Sequence, residues 1–298
     1  MAFSRTIKIT FLLFSAVSLM SCKPSDADVH RLIEKTLDNM VYVEGGTFMM
    51  GDAGANYTDE KGVEHNVEFW TGYTDNKPAH KVTLDSYYIQ KYEVTYAEYD
   101  TFTKKTGRPL SNDDQRKYPE IQPRIPAGVP SWYAAKDYCL WLGEQSGLPF
   151  DLPTEAQWEY AARSRGKPVP YATDTGMLDK GRNYMKYIKE AGNTHIVYVG
   201  SHPPNSLGIY DMHGNVNEWV NDWYDENYYK ISPENNPAGP KTGEKKVLRG
   251  GSVIGTQSFN TVYARFTKEP DYNGFNYNGV RCVLNLADKA DLKSMLKK

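Results

Sequence analysis

The residues best suited to chemistry lie in one stretch, Asp211-Met212-His213-Gly214-Asn215-Val216-Asn217-Glu218. Calcium is a hard cation that takes several oxygen ligands. Two carboxylates flanking a glycine offer both the charge it needs and a backbone free to curl around it. A plainer arrangement is open to the same residues, with Asp211 closing a turn and Glu218 paired with Arg249 or Arg281. His213 adjoins them, but imidazole is a poor calcium ligand and suits a hydrogen-bonded loop position better. A second acidic pair, Glu155 and Glu159, lies four residues apart in LPTEAQWEYAAR, which puts both on one face of a helix. Their spacing does not demand acid-base work. Glu155 falls in the opening turn, where a negative charge meets free N–H groups and the helix dipole. Arg163 is a natural partner for a neighbouring carboxylate, so both glutamates are expected to serve the fold.

Other catalytic systems find little support. The six histidines show no HxxxH or HExxH spacing, and there is no GxSxG elbow or phosphate-binding glycine loop. The formal net charge is −2 and the lysines and arginines are scattered among acids, which gives no basis for a nucleic-acid partner.

The elements that must position these groups are short. A chain of 298 residues with 40% hydrophobic content can bury one large core, while 24 Gly, 17 Pro and 23 Tyr point to many turns and brief strands. Met40-Val41-Tyr42-Val43 and Lys81-Val82-Thr83-Leu84 pattern as strands, and Gly45-Gly46 between strand-like segments suggests a hairpin. Thr95-Tyr96-Ala97-Glu98 is a capping box opening a helix to about Lys105, stopped by Gly107-Arg108-Pro109. A second helix is expected from about Trp132 to Gln145, with Tyr133, Cys139, Leu140 and Leu142 on its buried side. Thr154 and Gln157 cap a third. The segment from Gly54 to Asn76 is polar and aromatic, as an inserted loop would be.

The N-terminus has the pattern of an address. Arg5 and Lys8 precede an apolar run, Phe11 to Met20, too short to span a bilayer, and Leu19-Met20-Ser21-Cys22 resembles a bacterial lipoprotein box. The resemblance implies a signal peptide over residues 1–21, lipidation of Cys22, and a polar tether with a short helix over residues 22–39. A cell-envelope location follows, with the outer membrane favoured, on its periplasmic or surface face. Assigning Cys22 to lipid leaves Cys139 and Cys282 as a disulfide pair or as two buried thiols.

Five ordered segments carry a wider resemblance: GGTFMMG (Gly45 to Gly51), LPTEAQWEYAAR (Leu152 to Arg163), GIYDMHGNVNEW (Gly208 to Trp219), LRGGSVIGTQSFN (Leu248 to Asn260) and NGVRC (Asn278 to Cys282). Together they resemble the formylglycine-generating enzyme, or sulfatase-modifying factor, family. The resemblance implies an α+β, loop-rich single domain over residues 40–286, related to C-type lectins, followed by a polar tail over residues 287–298. It places Cys139 and Cys282 where the family has cysteines. It also implies calcium held by the side chains of Asp211 and Glu218 and by the carbonyls of Gly214 and Val216. A second family calcium site matches only in Asn183-Tyr184, its acidic ligand falling near Ala191.

The family's oxidase chemistry is not expected here. Its paired cysteines bind copper and use oxygen to convert a substrate cysteine to formylglycine, because soft thiolates select Cu(I). Their positions are Gly255 and Asn260 in this chain. Asn217 replaces the active-site tryptophan and Phe259 a tyrosine, while Ser252 remains. The expectation is a pseudoenzyme whose old cleft, formed by Asn217, Ser252, Thr256, Phe259, Asn260 and Arg281, grips an envelope protein, peptide or glycan. Lipoproteins of gliding-motility and type IX secretion systems are similar in this respect. The alternative is a cysteine-independent oxidoreductase of the same fold, using polar groups such as Glu269, Asp271 and Arg281.

Overall fold

The computed structural model describes residues 23–58, 62–111, 122–184, 196–255, 257–274 and 277–296. It is an α+β domain of short elements, as expected. In chain order these are α1 (Asp26–Asp38), β1 (Met40–Val43), β2 (Gly46–Met50), β3 (Ala55–Thr58), β4 (Glu64–Val67), β5 (His80–Leu84), β6 (Tyr87–Gln90), α2 (Tyr96–Thr106), α3 (Trp132–Ser146), β7 (Phe150–Asp151), α4 (Glu155–Ala162), β8 (Asn217–Trp223), β9 (Lys246–Arg249), β10 (Phe266–Lys268), β11 (Asn278–Gly279) and β12 (Val283–Leu284). One sheet runs β1-β6-β12-β7 and another β10-β9-β8-β11, with ribbons β2-β5 and β3-β4. Among the described strand pairs only β11–β8 is parallel.

Several local expectations need adjustment. β1 pairs with β6 and β2 with β5, so Gly45-Gly46 turns a corner between sheets and makes no hairpin. A β-carbon at Gly45 would come within 2.4 Å of the Leu84 carbonyl oxygen, so the corner requires glycine. The expected inserted loop carries the β3–β4 ribbon, anchored where Asp52 accepts from the amides of Gly54, Trp70 and Thr71.

The helices begin where capping chemistry predicts. Thr95 with Glu98 and Thr154 with Gln157 form capping boxes, and Gly107 closes α2 in the left-handed conformation. α3 buries Ala135, Tyr138, Cys139, Trp141 and Leu142. Tyr133 and Leu140, expected inside, are 53% and 42% exposed. They lie two turns apart on the solvent side of the stripe that 135, 138, 139 and 142 define.

Both ends of the described residues belong to the domain. Ser25 and Asp28 form a third capping box, so α1 starts at Asp26 and shortens the expected tether. Val29, Leu32, Ile33 and Leu37 line its buried face. A 3-10 turn at Leu292–Met295 packs against it, with Leu292 buried and Lys293 2.7 Å from Asp38, so this part of the polar tail is docked. Cys139 of α3 and Cys282, just before β12, form a disulfide that closes a separation of 143 residues. No helix among the described residues is long and apolar enough to cross a membrane.

The interior holds a compact ion network. Glu155 binds Arg249 at 2.8 Å and Arg265 at 2.7 Å, and Glu159 binds Arg249 and Arg163, each at 2.8 Å. The two carboxylates of the LPTEAQWEYAAR helix are therefore structural partners. Removing one member of such a buried pair typically costs about 3 to 5 kcal/mol, because the other charge is left without compensation.

Candidate functional site

The acidic loop between Ile209 and β8 is held in a tight curl. Asp211, Gly214 and Asn215 have φ of 57°, 72° and 57°, and Gly214 supplies at no steric cost the left-handed step that the other two adopt as polar residues. Asp211 is buried and accepts from the Gly200 amide at 2.6 Å, with His202 Nδ1 at 3.4 Å. Glu218 opens β8 and is enclosed. Arg281 reaches both of its oxygens at 2.7 to 3.0 Å, and the Trp158 indole donates to it at 2.7 Å. Of the alternatives for Glu218, pairing with Arg281 is the one observed.

A third acid joins them. Glu93, 1% exposed, accepts from the Asn215 side chain at 2.7 Å and faces the same loop. Burial raises its pKa well above the ordinary carboxylate range, and the charges of Asp211 and Glu218 push it further the same way against the pull of Arg281. Three buried acids thus crowd about one guanidinium, a repulsion that keeps the proton on Glu93 and that a divalent cation would relieve. Among the described residues no three His, Cys, Asp or Glu side chains converge to hold a metal, so an ion here would need backbone carbonyls as well. The residue types match calcium in charge and hardness, but both Glu218 oxygens are already held by Arg281 and Trp158, so an ion here would have to displace part of that pairing. Glu93 was not anticipated, because between Lys91-Tyr92 and Val94-Thr95 nothing in the local sequence sets it apart from a surface acid. His213 is a buried loop residue, bonded at 3.0 Å to the Asn183 carbonyl. Burial holds its pKa down at about 4, assisted by the neighbouring His202. Asn183 itself is buried, but Ala191 lies outside the described residues.

The expected cleft is only partly assembled. Gly255 and Asn260 are neighbours in space. A β-carbon on Gly255 would stand 2.8 Å from Asn260 Oδ1, and one on Gly251 only 2.1 Å from the same atom. Asn260 is 2% exposed, and Oδ1 has no hydrogen-bond partner among the described residues. Its amide therefore occupies the space a side chain at 255 would need. Ser252 is buried beside it. Asn217 donates to the Tyr277 carbonyl, and Thr256 lies outside the described residues.

Arg281 does not belong in that cleft. It is 0% exposed, and beyond Glu218 its remaining donors go to the carbonyls of Gln90 and Tyr210. Its guanidinium crosslinks the core and is closed off from solvent. Phe259, 39% exposed, instead joins an aromatic rim, stacked on Phe266 at 5.8 Å and 6.1 Å from Tyr73. Neither Gly255 nor Asn260 offers a sulfur donor, so the residues present do not fit a two-thiolate copper centre.

Comparison with known proteins agrees with this architecture. The family model for the sulfatase-modifying factor enzyme 1-like domain matches residues 26–286. The chain is 30% identical over 311 residues to the formylglycine-generating enzyme of Streptomyces coelicolor, covering 85% of this chain and 90% of the relative. It is 31% identical over 275 residues to the serine/threonine-protein kinase pkn1 of Chlamydia pneumoniae, matching 84% of this chain but spanning only 38% of that relative. Among solved structures, PvdO from Pseudomonas aeruginosa superposes with a TM-score of 0.64 at 29% identity, over 83% of this chain and 94% of the other. On the matched span and the shared fold, the chain belongs to the family of sulfatase-modifying factor enzyme 1-like domains.

Proposed function

We propose that this protein is a lipid-anchored component of the cell envelope, tethered through Cys22 to the outer membrane, whose domain is a non-catalytic binding or scaffold module. The observation that carries this is the pairing of Gly255 with Asn260: the two positions adjoin as a metal-binding pair would, but they hold a bare backbone and a hard amide. The partner is an envelope protein, peptide or glycan. The Tyr73–Phe259–Phe266 rim presents aromatic area for such contact. Calcium is assigned to Asp211, Glu218 and the carbonyls of Gly214 and Val216, where it would neutralise the acid excess and fix the loop next to β8. The alternative of cysteine-independent catalysis draws less support, because Arg281 is committed to the core and Glu269 lies 3.9 Å from Lys245.

The test combines three measurements on the full chain purified in detergent: metal content, oxidation of a sulfatase-type cysteine peptide, and crosslinked capture from native envelope. Calcium without copper, no aldehyde product, and a partner lost on Phe259→Ala are expected. Stoichiometric copper with formylglycine formation would overturn the proposal.

A further inference from the structure

A cavity of about 260 Å³ lies between α1 and the body of the domain, lined by Lys35, Thr36, Gln90, Glu93, Thr95 and Arg124 among others. Its floor is polar and deep: Thr36, Gln90 and Thr95 are 2%, 5% and 4% exposed. Buried polar groups normally have partners, so their accounting shows what is missing. Thr95 is satisfied, its hydroxyl donating to Glu98 at 2.8 Å. Gln90 accepts from the Cys282 amide through Oε1 at 2.7 Å, but no bond from its Nε2 is made among the described residues. The Thr36 hydroxyl is buried without a hydrogen-bond partner among the described residues. A helical threonine ordinarily donates to the carbonyl three or four residues back, so this hydroxyl forgoes its usual sink.

The charged groups lining the cavity balance, two cations against two acids, but one cation has no acidic partner among the described residues. Arg124 is exposed, lies 4.2 Å over the Tyr198 ring and makes no ion pair among the described residues, which leaves the edge of its guanidinium open to a bidentate oxyanion. Both nearby carboxylates are engaged. Glu98 binds Lys35 at 2.9 Å and the Thr95 amide and hydroxyl, each at 2.8 Å, while Glu93 turns toward Asn215 and the Val216 amide. Among the described residues, what remains unspent is a set of donors: Arg124, Gln90 Nε2 and the Thr36 hydroxyl. We propose that this cavity binds a small oxyanion-bearing molecule, a carboxylic acid or a phosphate. Its volume lies just below the range of about 300 to 1,000 Å³ typical of drug-sized ligands, so the occupant is small. The site is distinct from the Gly255–Asn260 region and does not depend on the proposed function.

Isothermal titration of the full chain in detergent with succinate and, separately, with inorganic phosphate tests this and tells the two sources apart. Saturable binding of one probe is expected. Arg124→Ala, at an exposed position that leaves the fold intact, should weaken it about tenfold, the value of one charge-assisted hydrogen bond. Gln90→Glu keeps the acceptor for Cys282 while replacing the donor with a repelling oxygen, and should abolish binding. Absence of heat from both probes up to about 10 mM, where a Kd near 1 mM would be visible, would overturn the assignment. So would binding that Arg124→Ala and Gln90→Glu both leave unchanged.

Discussion

Asn260 Oδ1 lies 2.8 Å from the point where a β-carbon on Gly255 would stand, so the two positions compete for a single volume. Phe259 and the Ser252 carbonyl close the remaining sides at 3.1 and 3.3 Å. Gly255→Ala is therefore expected to cost about 1 to 3 kcal/mol, the usual penalty for overpacking. Asn260→Ala should recover much of it, since it frees the space and removes an unsatisfied acceptor. A double-mutant cycle by urea denaturation measures the coupling, and simple additivity would contradict shared occupancy.

The acid excess of Glu93, Asp211 and Glu218 sets an expectation for calcium. An ion that binds only the native state stabilises it by mass action, about 2.7 kcal/mol at a hundredfold excess over Kd. Chelation should lower Tm, calcium should restore it, and magnesium should do so less well because it demands stricter geometry. In Asp211→Asn the calcium response should be much reduced. A Tm indifferent to chelator in the parent chain would count against the ion.

Reduction of Cys139–Cys282 removes a constraint spanning 143 residues. The chain-entropy treatment gives about 4 to 5 kcal/mol for such a loop before native strain is subtracted. The paired substitution Cys139→Ala with Cys282→Ala should lower the urea midpoint accordingly, and should match the parent chain under strong reductant. Because both sulfurs are fully buried, reduction of the folded protein should be slow without denaturant.

What the sequence disclosed follows from how local each signal is. Capping boxes at Thr95 and Thr154 are written within four residues, so the helix starts are legible, as is the glycine that ends α2. Pairing is not local: nothing near Gly45-Gly46 says that β1 joins β6 and β2 joins β5. The buried face of α3 was misjudged because aromatic and aliphatic side chains occur all round that helix, and only packing selects among them. Within the site, Gly255 and Asn260 were identifiable by resemblance. Their mutual exclusion was not, because it depends on an approach between a loop and a 3-10 turn. Arg281 was misplaced for the same reason: a charge near a motif resembles a ligand contact until its burial is known.

The last expectation concerns pH. Asp222 is 2% exposed on β8 and accepts from the Glu155 amide at 2.8 Å, at the start of α4. Burial and then the Glu155 charge raise its pKa from 3.8 to about 7. The native chain therefore holds this proton after the unfolded chain has released it. Its contribution to stability is complete below about pH 4 and declines as pH rises toward 7, each unit of displacement corresponding to about 1.4 kcal/mol. Asp222→Asn keeps an oxygen for the Glu155 amide and cannot ionise. Urea midpoints measured from pH 4 to 8 should fall less steeply in the variant than in the parent, with the gain concentrated at the alkaline end. Parallel curves would show that Asp222 titrates normally in the folded chain.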